Sequence, residues 1–188
     1  MVKMKEKIIL ASASPRRREL MCFITEDFEI KTADVDETIE NGTKPEDAVK
    51  SLALKKAQAV SKKYKGRLVI GADTIVVCNN EILGKPENEN SAFEMLKMLS
   101  GKTHYVLTGV CITDWVKTEC FCVKSDVTFF NLSDEEIRQY IQSGEPMDKA
   151  GSYAIQGKGS LFVEKINGDY FNIVGLPVSA LNKKLEKF

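Results

Sequence analysis

Apolar and polar positions along this chain fall into two periods that alternate with one another. Residues 7–12, KIILAS, make a short apolar run with the length of a buried strand. PRRREL then opens a helix, with Ser14 as its cap and Pro15 at the first helical position. FEIKTADVDE begins as a second strand and runs out into an acidic loop. A long helix is expected from Thr43, where Thr43 and Glu46 have capping-box spacing, Pro45 and Asp47 suit the first turn, and SKKYKG supplies a basic end with a terminal glycine. Its apolar stripe is Val49, Leu52, Ala53, Ala57 and Val60. RLVIGADTIVVCNNEILGK reads as two strands around an Asn79–Asn80 turn, and a helix over residues 90–99 ends at Gly101. THYVLTGVCITDW and ECFCVKSDVTFF read as long antiparallel neighbours, and LSDEEIRQYIQSG as a helix capped by Ser133 and Glu136 with Gly144 just past its end. GSLFVEKINGDYFNIVG carries a hairpin signal at Asn167–Gly168, and Pro177 begins a terminal helix. Strands and helices alternate, but hairpins interrupt them, which predicts a single α/β domain over residues 1–188 with a mixed sheet.

Charge narrows the range of partners. The 188 residues carry 27 Lys plus Arg against 27 Asp plus Glu, so no global field draws the protein to a nucleic-acid polymer or a membrane surface. No apolar run approaches the roughly 18–20 residues that span a bilayer, and MVKMKEK leads into a strand rather than a signal-peptide core. The cytoplasm is therefore the expected compartment. The five cysteines, Cys22, Cys78, Cys111, Cys120 and Cys122, are odd in number and lack C-x-x-C spacing. Cys120 and Cys122 would share a strand face, and all five are expected to be small reduced hydrophobes.

Local charge is more informative. Three of the five arginines, Arg16, Arg17 and Arg18, crowd the start of the first helix, where cations oppose the macrodipole by roughly 0.3–1 kcal/mol each. That placement suits an anion on the turn, since free N–H groups and guanidinium forks both bind phosphate. Lys56 falls inside the apolar stripe of the long helix, and Asp73 interrupts an otherwise apolar strand, LVIGADTIVVC. A two-residue turn at Asn79–Asn80 would set position 74 opposite 85, bringing Lys85 close to Asp73. Asp34, Asp36 and Glu37 form an acidic strand end of the kind that collects a divalent ion. Gln156, among small residues in AIQGKGSLF, can donate to and accept from the edge of a base. The GKGS that follows lacks the spacing and context of a Walker A loop. His104, the single histidine, has no nucleophile motif around it and reads as structural. Together these residues match a nucleoside triphosphate with a divalent metal and require no covalent nucleophile.

LASASPRRREL, DVDET, LALKKAQAV, VIGADTIVV, ILGKP, MLKMLSGKTHYVLTGV and GEPMDKAGSYAIQGKGSLFVEKINGDYFNIVGLP, in that order from about residue 8 to 178, resemble the Maf family of nucleoside triphosphate pyrophosphatases. Only MCFITED departs from the segment usual after the arginine helix. The resemblance implies a two-lobed α/β fold, a central mixed β-sheet flanked by helices and similar in shape to inosine triphosphate pyrophosphatases, with the nucleotide in a cleft between lobes. It implies hydrolysis to monophosphate and pyrophosphate with Mg²⁺ or Mn²⁺, and it is linked with septum formation and division arrest. It places the general base at Asp73 and base selection at Arg16, Thr74 and Gln156, residue types of the branch that prefers dTTP and UTP. Ser14, Arg16 and Arg17 are then expected to hold substrate, Lys56 and Lys85 to offset developing charge, and Glu37 with Asp73 to bind metal. Homodimers are common in the family, which leaves a homodimer open for this chain. The competing classes are a purine-directed pyrophosphatase, a non-catalytic nucleotide sensor and an arginine-rich protein-interaction surface.

Overall fold

The computed structural model describes residues 7–40 and 42–188. In chain order its elements are β1 (Ile8–Ala11), α1 (Pro15–Met21), β2 (Phe28–Ile30), α2 (Pro45–Ser61), β3 (Val69–Cys78), β4 (Glu81–Leu83), α3 (Glu89–Leu99), β5 (Thr103–Thr113), β6 (Thr118–Phe129), α4 (Asp134–Gln142), β7 (Val163–Asn167), α5 (Tyr170–Val174) and α6 (Val178–Leu185). Short 3-10 turns lie between α4 and β7. The strand order is β2-β1-β3-β5-β6-β7, with β4 on β3. β1 runs parallel to β2 and β3, whereas β3 with β4 and β6 with β7 are antiparallel, so the sheet is mixed as expected. Among the described residues no helix is long and apolar enough to cross a membrane.

The chain divides into two compact units, with the boundaries inside β3, β5 and β6 and just before α6. The first unit holds the described part of Met1–Asp73, with Thr108–Val123 and Gly175–Phe188. Its core packs Ile9, Ala11, Val69 and Cys111 from the strands against Ala53, Ala57 and Val60 of α2. Two glycines let α2 approach the strands closely. A Cβ on Gly71 would lie 2.4 Å from the Ala53 carbonyl oxygen and 2.7 Å from the Ala57 nitrogen, and one on Gly109 would lie 2.4 Å from the Val49 carbonyl oxygen. Cys111 of β5 and Cys120 of β6 are joined as a disulfide, with Cα atoms 4.1 Å apart. This corrects the expectation that all five cysteines are free thiols: neighbouring strands set these two side chains face to face. Cys22, Cys78 and Cys122 are free.

The second unit holds Thr74–Leu107 and Lys124–Val174. Its core is aromatic, with His104, Phe129 and Tyr153 packed edge to face and Phe162 bridging Phe129 to Tyr140. His104 is buried there, with Nε2 2.8 Å from the Tyr153 hydroxyl, and burial pushes its pKa down to about 4.

Several local expectations change. α2 begins at Pro45 rather than at Thr43, because a proline at the first helical position forces the residue before it to be extended. The cap therefore falls on Lys44 (φ −63°, ψ 139°) and no side chain caps it. Asn79 and Asn80 both take positive φ, as a tight hairpin requires, but the β3–β4 ladder stops at Leu83, so pairing does not reach Lys85. Asn167–Gly168 makes no hairpin. Gly168 (φ 127°) turns β7 into α5, where Asp169 Oδ1 accepts the Phe171 N–H at 2.8 Å, and a Cβ there would lie 2.8 Å from Ser125 Oγ.

Candidate active site

β1 ends at Ala11 and leads through Ser12 into the cap of α1, where Ser14 Oγ accepts the Arg17 N–H at 3.4 Å. The helix carries no acidic residue in its first turn. Arg16 and Arg17 are half-buried and Arg18 is exposed. Arg17 is the most firmly held: its Nε donates to the Gly175 carbonyl at 2.8 Å and its Nη1 to the Ser12 hydroxyl at 3.3 Å. Burial lowers the Arg17 pKa; the charges of Asp73 and Glu37 pull it back up, and Arg16 pushes it down further. The guanidinium therefore sits in the field of both carboxylates.

Lys56 is on the buried stripe of α2, and its ammonium bonds Asp73 Oδ1 and stands 2.8 Å from Glu37 Oε1. Asp73 lies mid-strand in β3, which continues past it without a break, and its side chain is only 12 % exposed. A carboxylate at such a position is costly unless a cation meets it, and Lys56 does. The close seat of α2 over Gly71, two residues before Asp73, sets that contact. Within the acidic loop the roles separate. Asp36 accepts the Thr38 N–H at 2.9 Å, which with the Thr38 side chain holds its carboxyl below the usual range, and its carbonyl accepts from Lys55 at 3.0 Å. Glu37 is thereby the loop carboxylate that faces Lys56, whereas Asp34 is exposed.

The first unit thus brings together Ser14, Arg16, Arg17, Glu37, Lys56 and Asp73. Thr74, Lys85 and Gln156 belong to the second unit. Thr74 follows Asp73 on β3 and is half-buried, Lys85 is exposed just past β4, and Gln156 is exposed in the turn ahead of a 3-10 segment, Lys158–Phe162. Sequence reasoning missed Ser12 and the Gly175 carbonyl as the groups that fix Arg17. A serine hydroxyl five residues away and a backbone oxygen 158 residues away leave no periodic signal.

Among the described residues no group of three or more His, Cys, Asp and Glu is placed to hold a metal. Asp73 and Glu37 nevertheless converge on one ammonium, so both reach a common cation position. Two carboxylates are the oxygen-only set with which Mg²⁺ is commonly bound beside substrate phosphates, and they fit such an ion.

The fold and site define a mixed α/β protein with a carboxylate held among cations at a helix N-terminus. Two solved structures share the fold: the Staphylococcus aureus Ham1 protein (15% identity, 97% of this chain and 99% of that one, TM-score 0.57) and a HAM1 protein from Coxiella burnetii (14%, 97% and 100%, TM-score 0.55). The family profile described as Maf-like protein matches residues 7–188, and the chain belongs to the Maf family. It is similar to proteins named dTTP/UTP pyrophosphatase from Bacillus mycoides (strain KBAB4), 54% identical over 182 residues covering 97% of this chain and 95% of the relative, and from Bacillus cereus (strain G9842), 54% identical over 183 residues covering 97% and 96%.

Proposed function

We propose that this protein hydrolyses nucleoside triphosphates, dTTP and UTP in preference to others, to the monophosphate and pyrophosphate. The observation that carries the reading is Asp73, a buried mid-strand carboxylate gripped by Lys56 and facing Arg17. With Lys56 engaging Oδ1, the other oxygen of Asp73 orients the attacking water and accepts its proton. The water oxygen bonds the α-phosphorus as the bond to the bridging oxygen breaks, and pyrophosphate leaves. Arg16, Arg17 and the capped turn at Ser14 hold phosphate oxygens, and Lys56 and Lys85 offset the charge that develops on the leaving group. Glu37 and Asp73 are the residues that would hold Mg²⁺ or Mn²⁺. Such an ion, when bound, polarises the phosphate and lowers the pKa of a coordinated water.

Arg16, Thr74 and Gln156 select the base, with Gln156 and Thr74 pairing to the O4/N3 edge of a pyrimidine. Thymine and uracil differ by one methyl, worth only about 1–3 kcal/mol in an apolar pocket, so the two are expected to be weakly distinguished. The names of the 54%-identical relatives support this base preference. The reading includes a cytoplasmic house-cleaning role, a homodimer and a link to cell-division arrest.

The test is turnover of a panel of triphosphates with Mg²⁺ or Mn²⁺, measuring monophosphate and pyrophosphate beside Asp73→Asn. Fast release from dTTP and UTP, reduced roughly 10²–10⁴-fold in the variant, is expected. Turnover of purines alone would overturn the base assignment, and binding without turnover would favour a sensor.

A further inference from the structure

Gln156 is followed by two glycines in A-I-Q-G-K-G, and within that run a single backbone bond, from the Gly157 N–H to the Ala154 carbonyl at 3.2 Å, closes the turn around it. The run is fastened from outside. Glu145, which follows Gly144 (φ 73°) at the end of the α4 segment, accepts the Lys158 N–H on Oε2 at 3.0 Å and the Gly159 N–H on Oε1 at 3.1 Å. Its Oε1 also accepts the Tyr140 hydroxyl at 2.9 Å, and the oxygen of that hydroxyl accepts the Ala154 N–H at 3.1 Å. One carboxylate and one phenol therefore tie down the backbone on both sides of Gln156.

The glycines are what allow the approach. A Cβ on Gly157 would lie 2.4 Å from both Glu145 oxygens, and one on Gly159 would lie 2.9 Å from the Tyr140 hydroxyl and from the Ala154 carbonyl oxygen. Burial pushes the Glu145 carboxyl up, but the two amides and the phenol outweigh it and bring the group below the usual range. Tyr140, raised by burial and by Glu145, stays protonated and able to donate. The Lys158 and Gly159 N–H groups, which elsewhere would suit a phosphate, are thus already occupied by an internal anion, and the Gly157 N–H is taken by the Ala154 carbonyl.

We propose that Glu145 is a positioning residue for base selection, acting through Tyr140 and the 154–159 backbone to pre-organise Gln156 for the base edge. This rests on the assignment of Gln156 made above. Holding the reader in place before the substrate arrives removes an ordering cost from binding of the correct base.

The experiment measures kcat and KM for UTP, dTTP, CTP and ITP, and inhibition by pyrophosphate, in the wild type, Gln156→Ala, Glu145→Ala, Glu145→Gln and Tyr140→Phe. Glu145→Ala is expected to raise KM for UTP and dTTP roughly tenfold and to erase most of the preference over ITP. Inhibition by pyrophosphate should stay within about twofold, because the residues assigned to phosphate, Ser14, Arg16, Arg17, Lys56 and Lys85, all lie outside the 154–159 segment that Glu145 fastens. Glu145→Gln keeps one acceptor oxygen and should fall between, and Glu145→Ala should add little in a Gln156→Ala background. If Gln156→Ala loses the preference and the Glu145 variants keep it, the proposal is overturned. Equal weakening of UTP and pyrophosphate would also overturn it, as general damage. If Gln156→Ala keeps the preference, the assignment of the base reader has failed first, and the positioning role falls with it. Should Glu145→Ala not fold, unchanged ranking in both Tyr140→Phe and Glu145→Gln decides against the proposal.

Discussion

Replacing Lys56 with methionine keeps an unbranched apolar stem and removes the terminal ammonium, which isolates what that charge does for Asp73. The two side chains are 16 % and 12 % exposed, so most of their contact is shielded from water. Stranding one member of a buried pair costs roughly 3–5 kcal/mol, and the remaining charge of Arg17 near Asp73 offsets part of that, leaving about 2–3 kcal/mol. At about 2–4 °C per kcal/mol for a chain of this size, Tm should fall by about 5–10 °C. The Glu37 arm is 57 % exposed, so Glu37→Gln should cost less than about 1 kcal/mol. Thermal and urea unfolding of Lys56→Met, Asp73→Asn and the double variant separate the terms. The double variant should recover most of the loss, because an amide at 73 leaves no charge stranded, giving a coupling of at least about 1 kcal/mol. Strictly additive losses, or a Lys56→Met cost below about 0.5 kcal/mol, would refute the claim that this lysine is what keeps a carboxylate inside the strand.

Other outcomes follow from the same geometry. Burial holds His104 at about 4 when folded, against about 6.5 unfolded, so the unfolded chain takes up the proton first. Its contribution is complete above about pH 6.5 and is lost as pH falls toward 4, by about 3 kcal/mol in all; urea midpoints at pH 7.5, 5.5 and 4.5 should show the decline, flattened in His104→Gln. Gly71→Ala pushes its new methyl into the Ala53 carbonyl and should cost roughly 1–3 kcal/mol by urea unfolding while lowering turnover, since α2 carries Lys56. Thiol titration of the denatured, unreduced protein should count the three free cysteines, Cys22, Cys78 and Cys122; five would show that Cys111 and Cys120 are not joined.

Much of this was legible because burial and charge conflict in plain view. Lys56 breaks an apolar stripe and Asp73 breaks an apolar strand, and the two violations meet each other. Caps with complete side-chain chemistry were equally readable: Ser133 and Glu136 form the box that their spacing predicts. Signals that serve more than one conformation misled. Asn-Gly supplies a positive φ, which ends a strand into a helix at Gly168 as readily as into a hairpin. Thr43 lost the cap to the steric demand of Pro45, a stronger local force than one hydrogen bond. The Cys111–Cys120 pairing depends on strand register, and the Gly175 carbonyl on chain return, neither of which is written in local pattern. Glu145 has no local signal that separates it from any acidic residue after a helix, because the N–H groups it holds, those of Lys158 and Gly159, lie 13 and 14 residues away.

The seat of α2 has a bearing on how this protein can change. At Gly71 and Gly109 main-chain atoms of Val49, Ala53 and Ala57, with the Ala57 Cβ, come nearer to the strands than any added side chain there would allow. The height of Lys56 above the sheet is thereby set in part by backbone contact and not by the volumes of the aliphatic residues alone. Leu52 and Val60 can be exchanged for residues of similar bulk, and the lineage can drift in its oily positions, while the ammonium keeps its reach to Asp73. The two positions without a side chain are the ones where drift is forbidden.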